Sequence, residues 1–151
     1  MSKYLLPTAQ SIQGVLTMIY GEEIAADEAP EMDLANASHV GVFEASDGSV
    51  VGLCYCDLSS AASLSCALSL IPPGVAEEMI KDRSISDMAE LNMNEVMNMF
   101  SSLYMDDNTD HLRFTELKAS KEAPTASLSR RIDLSLPDAK YPGGLVTFHA
   151  I

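Results

Sequence analysis

The sequence predicts an α+β domain, in which helices pack against an antiparallel sheet. Stretches with helical periodicity and stretches that alternate polar with apolar residues follow one another in the order α–ββ–α–α–βββ. An Asp-Gly pair, Asp47-Gly48, separates the first two alternating stretches and indicates a hairpin of antiparallel strands. Because 151 residues are enough for one domain with its own core, we expect residues 1–151 to form a single unit.

The first half of the chain predicts a helix, a weak strand and the hairpin. The helix begins at Pro7 or Thr8 and continues to Tyr20, because proline suits the first helical turn and Gly21 can end the helix. A weak strand is expected near residues 32–35. The two strands of the hairpin are predicted at residues 39–45 and 50–57.

A second helix is predicted at residues 59–70, with Asp57 or Ser59 as its N-terminal cap. Its many Ser and Ala residues indicate close packing against the sheet. Residues 72–74, Pro-Pro-Gly, end this helix, and residues 75–81 are expected to form only a short helical turn.

The longest helix is predicted at residues 84–105, with Ser84 and Asp87 in a capping arrangement. Its apolar positions recur at helical spacing and predict a buried stripe. The stripe comprises Ala89, Met93, Val96, Phe100 and Leu103, widened by Met97 and Met99.

Three strands are predicted to close the chain, at residues 111–118, 131–136 and 144–150, with a loop around Pro124 after the first. Residues 144–151 include no charged side chain. An edge strand without charges tends to pair with another chain, so we expect a homodimer that forms through this strand.

The charge of the chain limits its partners. Nine Lys and Arg residues against 22 Asp and Glu residues give a net charge of −13, which repels nucleic acids and anionic membranes. No apolar run approaches the roughly 20 residues needed to span a bilayer, and the N-terminus lacks the apolar region of a signal peptide. We therefore expect a cytoplasmic protein whose partners are proteins with exposed Lys or Arg.

The cysteines do not predict a disulfide framework or a metal site. Cys54 and Cys56 lie two residues apart in a predicted strand, so both side chains point to one face as buried thiols. A structural zinc site usually needs four ligands, and His39, His111 and His149 are scattered along the chain. We expect no metal bound by this chain.

The long helix carries a carboxylate and a carboxamide one turn apart, Glu95 and Asn98. Three residues advance a helix by about 4.5 Å, so both groups lie on one face. A carboxylate can hold a cation of a partner, and a carboxamide can both donate to and accept from a water. Such a pair also occurs on ordinary surface helices. Asparagine is a poor helix former, however, so its position in the middle of the helix indicates a requirement other than helix stability. Further candidates for partner contacts are Asn94, Ser101 and Ser102.

The order of the elements and the Glu95-x-x-Asn98 motif resemble the CheC/CheX/FliY family, which dephosphorylates the chemotaxis receiver protein CheY. In that family the motif helix typically reads E-[IL]-x-N-[MI]-[IV]-x-G, and residues 95–102 read EVMNMFSS here. A single motif is similar to CheX, whereas CheC generally carries two. Ser102 replaces the expected Gly, and Leu91 stands where the family often has a polar or small residue, so the resemblance is to a divergent member.

The resemblance implies a phosphatase mechanism. The substrate is an aspartyl phosphate on a CheY-like receiver domain, where the receiver's own Mg²⁺ and Lys neutralise the phosphoryl oxygens. In this mechanism Asn98 positions the attacking water and Glu95 engages the Lys of the receiver. No cofactor is expected on this chain itself.

Two other functions are compatible with the same sequence. One is a non-catalytic adaptor of the same fold that binds a receiver or a component of the flagellar switch. The other is a small-molecule sensor whose pocket wall includes Met97, Met99 and Met105, although methionines at helical spacing more often belong to the core.

Overall fold

The computed structural model describes residues 4–151, so the first three residues of the predicted domain lie outside the described residues. The described chain forms a six-stranded sheet with four α-helices, which confirms the predicted α+β class. The strands are β1 (Asp27–Glu28), β2 (Ala37–Ala45), β3 (Val50–Asp57), β4 (Leu112–Ala119), β5 (Arg130–Leu136) and β6 (Gly144–Ala150). The helices are α1 (Ala9–Tyr20), α2 (Leu58–Leu68), α3 (Pro73–Asp82) and α4 (Asp87–Ser101).

All strand pairs of the sheet are antiparallel, and the strand order is β1-β5-β6-β3-β2-β4. The prediction that the last strand forms an edge is therefore wrong. β6 lies between β5 and β3, with Val146 opposite Leu134 and Phe148 opposite Cys54. Its lack of charges reflects burial on both sides rather than an exposed edge, so the expected homodimer loses this structural argument.

α2 and α4 pack on one face of the sheet, α1 packs against both of these helices, and α3 packs against α2. Together they enclose the main core. α2 is buried around most of its circumference, whereas α4 buries one side only. The predicted stripe of α4 is confirmed, since Ala89, Met93, Val96, Phe100 and Leu103 are all buried. Met97 is also fully buried, and Met99 and Met105 pack against the core.

The predicted start and end of α1 are close to the observed ones. Thr8 is the cap, since its hydroxyl accepts the backbone N–H of Ser11 at 3.0 Å, and Gly21 ends the helix with a φ of 73°. α2 is capped by Asp57, whose carboxylate accepts the N–H of Ser60 at 2.9 Å. The short turn predicted after it is a ten-residue helix, α3.

The predicted N-terminal cap of the long helix is wrong by two residues. Ser86 caps α4 by accepting the N–H of Ala89 at 3.2 Å, so Ser84 lies outside the helix. At the other end the α-helix stops at Ser101, and Ser102–Tyr104 form a 3₁₀ turn.

The weak strand predicted near residues 32–35 is also wrong. Leu34–Asn36 form a 3₁₀ turn, because the carboxylate of Asp33 accepts the N–H of Ala35 at 3.0 Å. The strand of this region is β1, which lies about five residues before the predicted position. It pairs with β5.

The opposite face of the sheet carries a smaller core, formed by Met32, Ala37, Val40, Val42, Leu53 and Tyr55. Beside it, Arg131 pairs with Asp133 at 2.9 Å. Burial works to raise the pKa of Asp133, but hydrogen bonds from Arg131, Thr147 and the Met32 N–H outweigh it and hold that pKa below its ordinary value. This pair is therefore ionised, and both side chains are engaged in contacts within the protein.

Cys54 and Cys56 lie buried on the helix-covered face, as predicted, and both are free thiols. Burial raises the pKa of the Cys54 thiol well above its ordinary value, so the group is protonated and unreactive. Within residues 4–151, no helix has the length and apolar character needed to cross a membrane.

Candidate functional site

The candidate site is the outward side of α4, which begins after its cap, Ser86. Two contacts with other elements fix this helix in the fold. In its middle, the side-chain amide of Asn92 donates to the carbonyl of Ser65 in α2 at 2.9 Å. Just beyond its C-terminus, the buried hydroxyl of Tyr104 donates to the carbonyl of Leu53 in β3 at 3.1 Å. A helix held in its middle and just beyond its C-terminus presents its outer side chains in a fixed orientation.

The inner side of α4 packs tightly on the sheet, which fixes its rotation. A Cβ atom added at Gly41 of β2 would lie 2.6 Å from the Sδ atom of Met97. The ring of Phe100 lies edge-on to Phe148 of β6, with 5.4 Å between the ring centroids. Residues two positions apart lie on roughly opposite sides of a helix, so Glu95, two positions before Met97, and Asn98, two positions before Phe100, lie on the outward side.

Glu95 and Asn98 both lie on the exposed side, as predicted, and Ser102 is exposed one turn further along. Neither the carboxylate of Glu95 nor the amide of Asn98 makes a hydrogen bond or ion pair with another described residue. Both groups are therefore available to a partner. The structure thus brings the two predicted catalytic residues together on one solvent-facing surface.

The other predicted contact residues have partners in their own helix. The amide of Asn94 donates to the carbonyl of Glu90 at 2.9 Å. The hydroxyl of Ser101 donates to the carbonyl of Asn98 at 2.6 Å, and that of Ser102 donates to Met99 at 2.8 Å. Asn94 and Ser101 are half-buried at the margin of the surface, so only Ser102 shares the exposed centre with Glu95 and Asn98.

The surface is acidic. Asp87 and Glu90 stand in the first turn of α4, where the positive end of the helix dipole stabilises carboxylates. Glu90 also approaches His39 at 3.9 Å, but burial lowers the pKa of His39 more than Glu90 raises it, so this contact is not an ion pair at neutral pH. Glu95 lies in the middle of the helix, so neither the helix dipole nor a neighbouring histidine explains its presence.

Two further residues of this surface are apolar, and the helical pattern does not predict that they are exposed. Met88 is 62% exposed and Leu91 is 70% exposed, although both belong to an apolar-rich helix. The spacing of positions 88, 91, 95, 98 and 102 follows a heptad pattern, which places them on one face. This spacing could have placed Met88 and Leu91 on the exposed face with Glu95. An apolar residue in an amphipathic helix is normally assigned to the core, however.

The outward side of α4 is an open surface rather than a pocket. A cavity of about 400 Å³ lies elsewhere, and its lining residues, which include Ala45, Ser49 and Val51 of the β2–β3 hairpin, include none of α4. Within the described part of the chain, no cluster of three or more His, Cys, Asp or Glu side chains could hold a metal ion. The geometry fits contact with another macromolecule.

The fold of this chain also occurs in solved structures. No protein-family model matches this sequence, and no curated protein matches it either. Among solved structures, the FliM–SpeE complex from H. pylori contains a chain with a TM-score of 0.66 and 9% identity, covering 94% of this chain and 80% of that one. The FliM middle domain from H. pylori has a TM-score of 0.57 and 10% identity, covering 94% and 84%.

The chain therefore has the fold of a FliM middle domain, which is the fold expected for the CheC/CheX/FliY-like proteins. At this low identity the likeness is one of fold. It does not single out CheX among the members that share it.

Proposed function

We propose that this domain binds a phosphorylated CheY-like receiver through the outward side of α4 and accelerates hydrolysis of its aspartyl phosphate. The observation that carries the proposal is the exposed, unpaired state of Glu95 and Asn98 on one face of a fixed helix. These two groups have no function within the fold. They suit the two tasks that a second protein can perform at the receiver site, which are to place the attacking water and to dock the helix.

The first task is to place the attacking water. In the hydrolysis, the water oxygen forms a bond to phosphorus while the bond between phosphorus and the aspartyl oxygen breaks, which leaves inorganic phosphate and a free carboxylate. The amide of Asn98 can accept from and donate to that water without adding charge beside the phosphoryl group. Positioning is the main contribution available to a protein in phosphoryl transfer.

The second task is to dock the helix in one register. The carboxylate of Glu95 can pair with the Lys of the receiver site, a charge-assisted contact that orients the partner. The receiver brings the Mg²⁺ expected at an aspartyl phosphate, so the proposed reaction needs no metal ligand from this chain. A cytoplasmic location follows from this function, since receivers act there.

The test is a phosphate-release assay with receivers phosphorylated by acetyl phosphate in the presence of Mg²⁺. We expect wild-type protein to accelerate release and Asn98→Ala to lose about 10²-fold of that acceleration, because the water is no longer aimed. Glu95→Ala should raise the KM as well. Asn36→Ala is the matched control, since Asn36 is an exposed asparagine outside the helical side of the sheet. Unchanged turnover in Asn98→Ala would exclude the proposed role.

The second candidate is a non-catalytic adaptor, and the similarity to FliM middle domains favours it. One of those neighbours is described as part of a FliM–SpeE complex, so this fold binds partner proteins in at least one case. The same assay separates the two functions. An adaptor binds the receiver, or a component of the flagellar switch, but leaves the rate of phosphate release at the receiver's own value.

A further inference from the structure

We propose that Met88 and Leu91 form an apolar footprint that docks the same receiver domain and determines which receivers are accepted. The inference rests on the proposed function, because it assigns further contacts to the same partner. It names two residues that lie one and two turns before Glu95 and that have no part in the chemistry.

The footprint is continuous with the catalytic pair. Met88 and Leu91 are three residues apart, and Leu91 is four residues from Glu95, so successive side chains stand one above the other on the helix. At 1.5 Å per residue, Leu91 lies about 6 Å and Met88 about 10 Å before Glu95 along the axis. A partner that reaches Glu95 from outside therefore meets these two side chains as well.

Neither side chain contributes to the core. The inner stripe of α4 already fills the space between the helix and the sheet, and Met88 and Leu91 leave 62% and 70% of their surfaces in water. Exposing one apolar side chain is ordinary, but two on adjacent turns form a patch, and they share their face with two unpaired polar groups. Lys or Glu at either position would preserve the helix equally well.

Charge identifies the occupant. α4 carries Asp87, Glu90 and Glu95 and no Lys or Arg, so the apolar pair is framed by carboxylates. An anionic membrane or a nucleic acid is repelled by this surface. The complementary partner is a protein that presents a Lys next to an apolar patch, with the patch roughly 6–10 Å from the Lys along the docking helix. A receiver provides the Lys at its phosphorylation site, and receivers that also provide the patch are the ones bound tightly.

Apolar contacts of this kind act on binding rather than on the chemical step. They are equally strong before and during hydrolysis, so they lower the KM without raising kcat. This separates them from Asn98, whose contact strengthens as the water attacks.

The experiment compares Leu91→Ser and Met88→Ser with wild-type protein. Affinity is measured by titration calorimetry against receivers that carry beryllium fluoride and Mg²⁺ in place of the phosphoryl group. We expect Leu91→Ser to raise the Kd about 10-fold, which is about 1.4 kcal/mol, and the double variant to raise it further. In the phosphate-release assay the KM should rise while kcat changes less than threefold. Met18→Ser is the matched control, since Met18 is 72% exposed on α1.

The outcomes separate this inference from the proposed function. If both variants bind as tightly as wild-type protein while phosphate release is accelerated, the footprint is wrong and the phosphatase stands. If binding depends on Leu91 but wild-type protein does not accelerate release, the footprint stands and the domain is an adaptor. A wild-type protein that binds no receiver overturns both. Circular dichroism confirms that each variant is folded.

Discussion

Helices α2 and α4 pack side by side on the same face of the sheet, but they use their polar side chains in opposite ways. In α2, the hydroxyls of three serines turn towards the start of β6 and the segment that leads into it. Ser59 donates to the carbonyl of Gly143, Ser60 donates to Leu145 at 2.9 Å, and Ser63 donates to Pro142 at 2.6 Å. In α4, the polar side chains at the centre of the outward face make no contact with another element.

The difference separates stability from function. The polar groups of α2 are buried and would cost free energy if they lacked partners, so their bonds explain why they are there. The side chains of Glu95 and Asn98 are exposed and bond to nothing within the described chain, so no requirement of folding explains them. A polar residue that the fold does not use, on a helix that the fold holds rigidly, points to a partner. Four variants test this contrast.

The largest effect is expected where α2 meets β6. Gly144→Ala would place a Cβ atom 2.5 Å from the backbone nitrogen of Ser60, so helix and strand must separate. We expect the free energy of unfolding to fall by about 3 kcal/mol in urea denaturation. The control is Gly14→Ala in α1, where nothing lies within 4 Å of the added methyl group, and which should gain about 0.8 kcal/mol. A Gly144→Ala protein as stable as the wild type would refute the close packing of α2.

The contact between α2 and β6 is an example of what the sequence can and cannot predict. The Ser and Ala content of α2 predicts close packing on the sheet, and the hairpin signal at Asp47-Gly48 predicts antiparallel β2 and β3. These are local patterns with a local physical cause. The position of β6 inside the sheet is not local, because an uncharged strand can be either central or an unprotected edge. β1 was missed because two residues are too few to show an alternating pattern.

For the candidate site, the helical period places Glu95 and Asn98 on one face, and the structure agrees. The period does not reveal which apolar residues are exposed. Met88 and Met93 belong to the same helix, yet one faces solvent and the other is fully buried. The rotation of α4 decides between them, and that rotation is set by contacts with β2 and β6 that are distant in the sequence.

The next largest effect is expected for a serine of α2. Ser63 is fully buried, and Ser63→Ala deprives the carbonyl of Pro142 of its donor, so stability should fall by about 1.5 kcal/mol. Ser102 is the comparison residue, since its hydroxyl donates only to the carbonyl of Met99, three residues earlier in the chain. Ser102→Ala should stay within about 0.5 kcal/mol of the wild type in the same urea titration. Equal losses in the two variants would contradict the contrast.

A smaller effect is expected for the one asparagine of α4 that faces α2. Asn92→Ala removes the 2.9 Å hydrogen bond to Ser65 and should cost about 1 kcal/mol of stability, partly offset by the better helix propensity of alanine. Asn94→Ala removes only a bond to Glu90 within the same helix, so its stability should not fall. Thermal unfolding followed by circular dichroism at 222 nm distinguishes them. The reverse order would mean that Asn92 does not tie the two helices together.

The smallest effect has the opposite sign. Asn98→Ala removes no internal hydrogen bond and replaces a poor helix former by the best one, so the free energy of unfolding should rise by about 0.5 kcal/mol. The proposed function requires the same substitution to reduce receiver dephosphorylation strongly. A residue whose replacement stabilises the fold and impairs activity is retained for its activity. If urea titration instead shows a loss of 1 kcal/mol or more, the amide of Asn98 has a role inside the fold, and its exposure no longer argues for a partner.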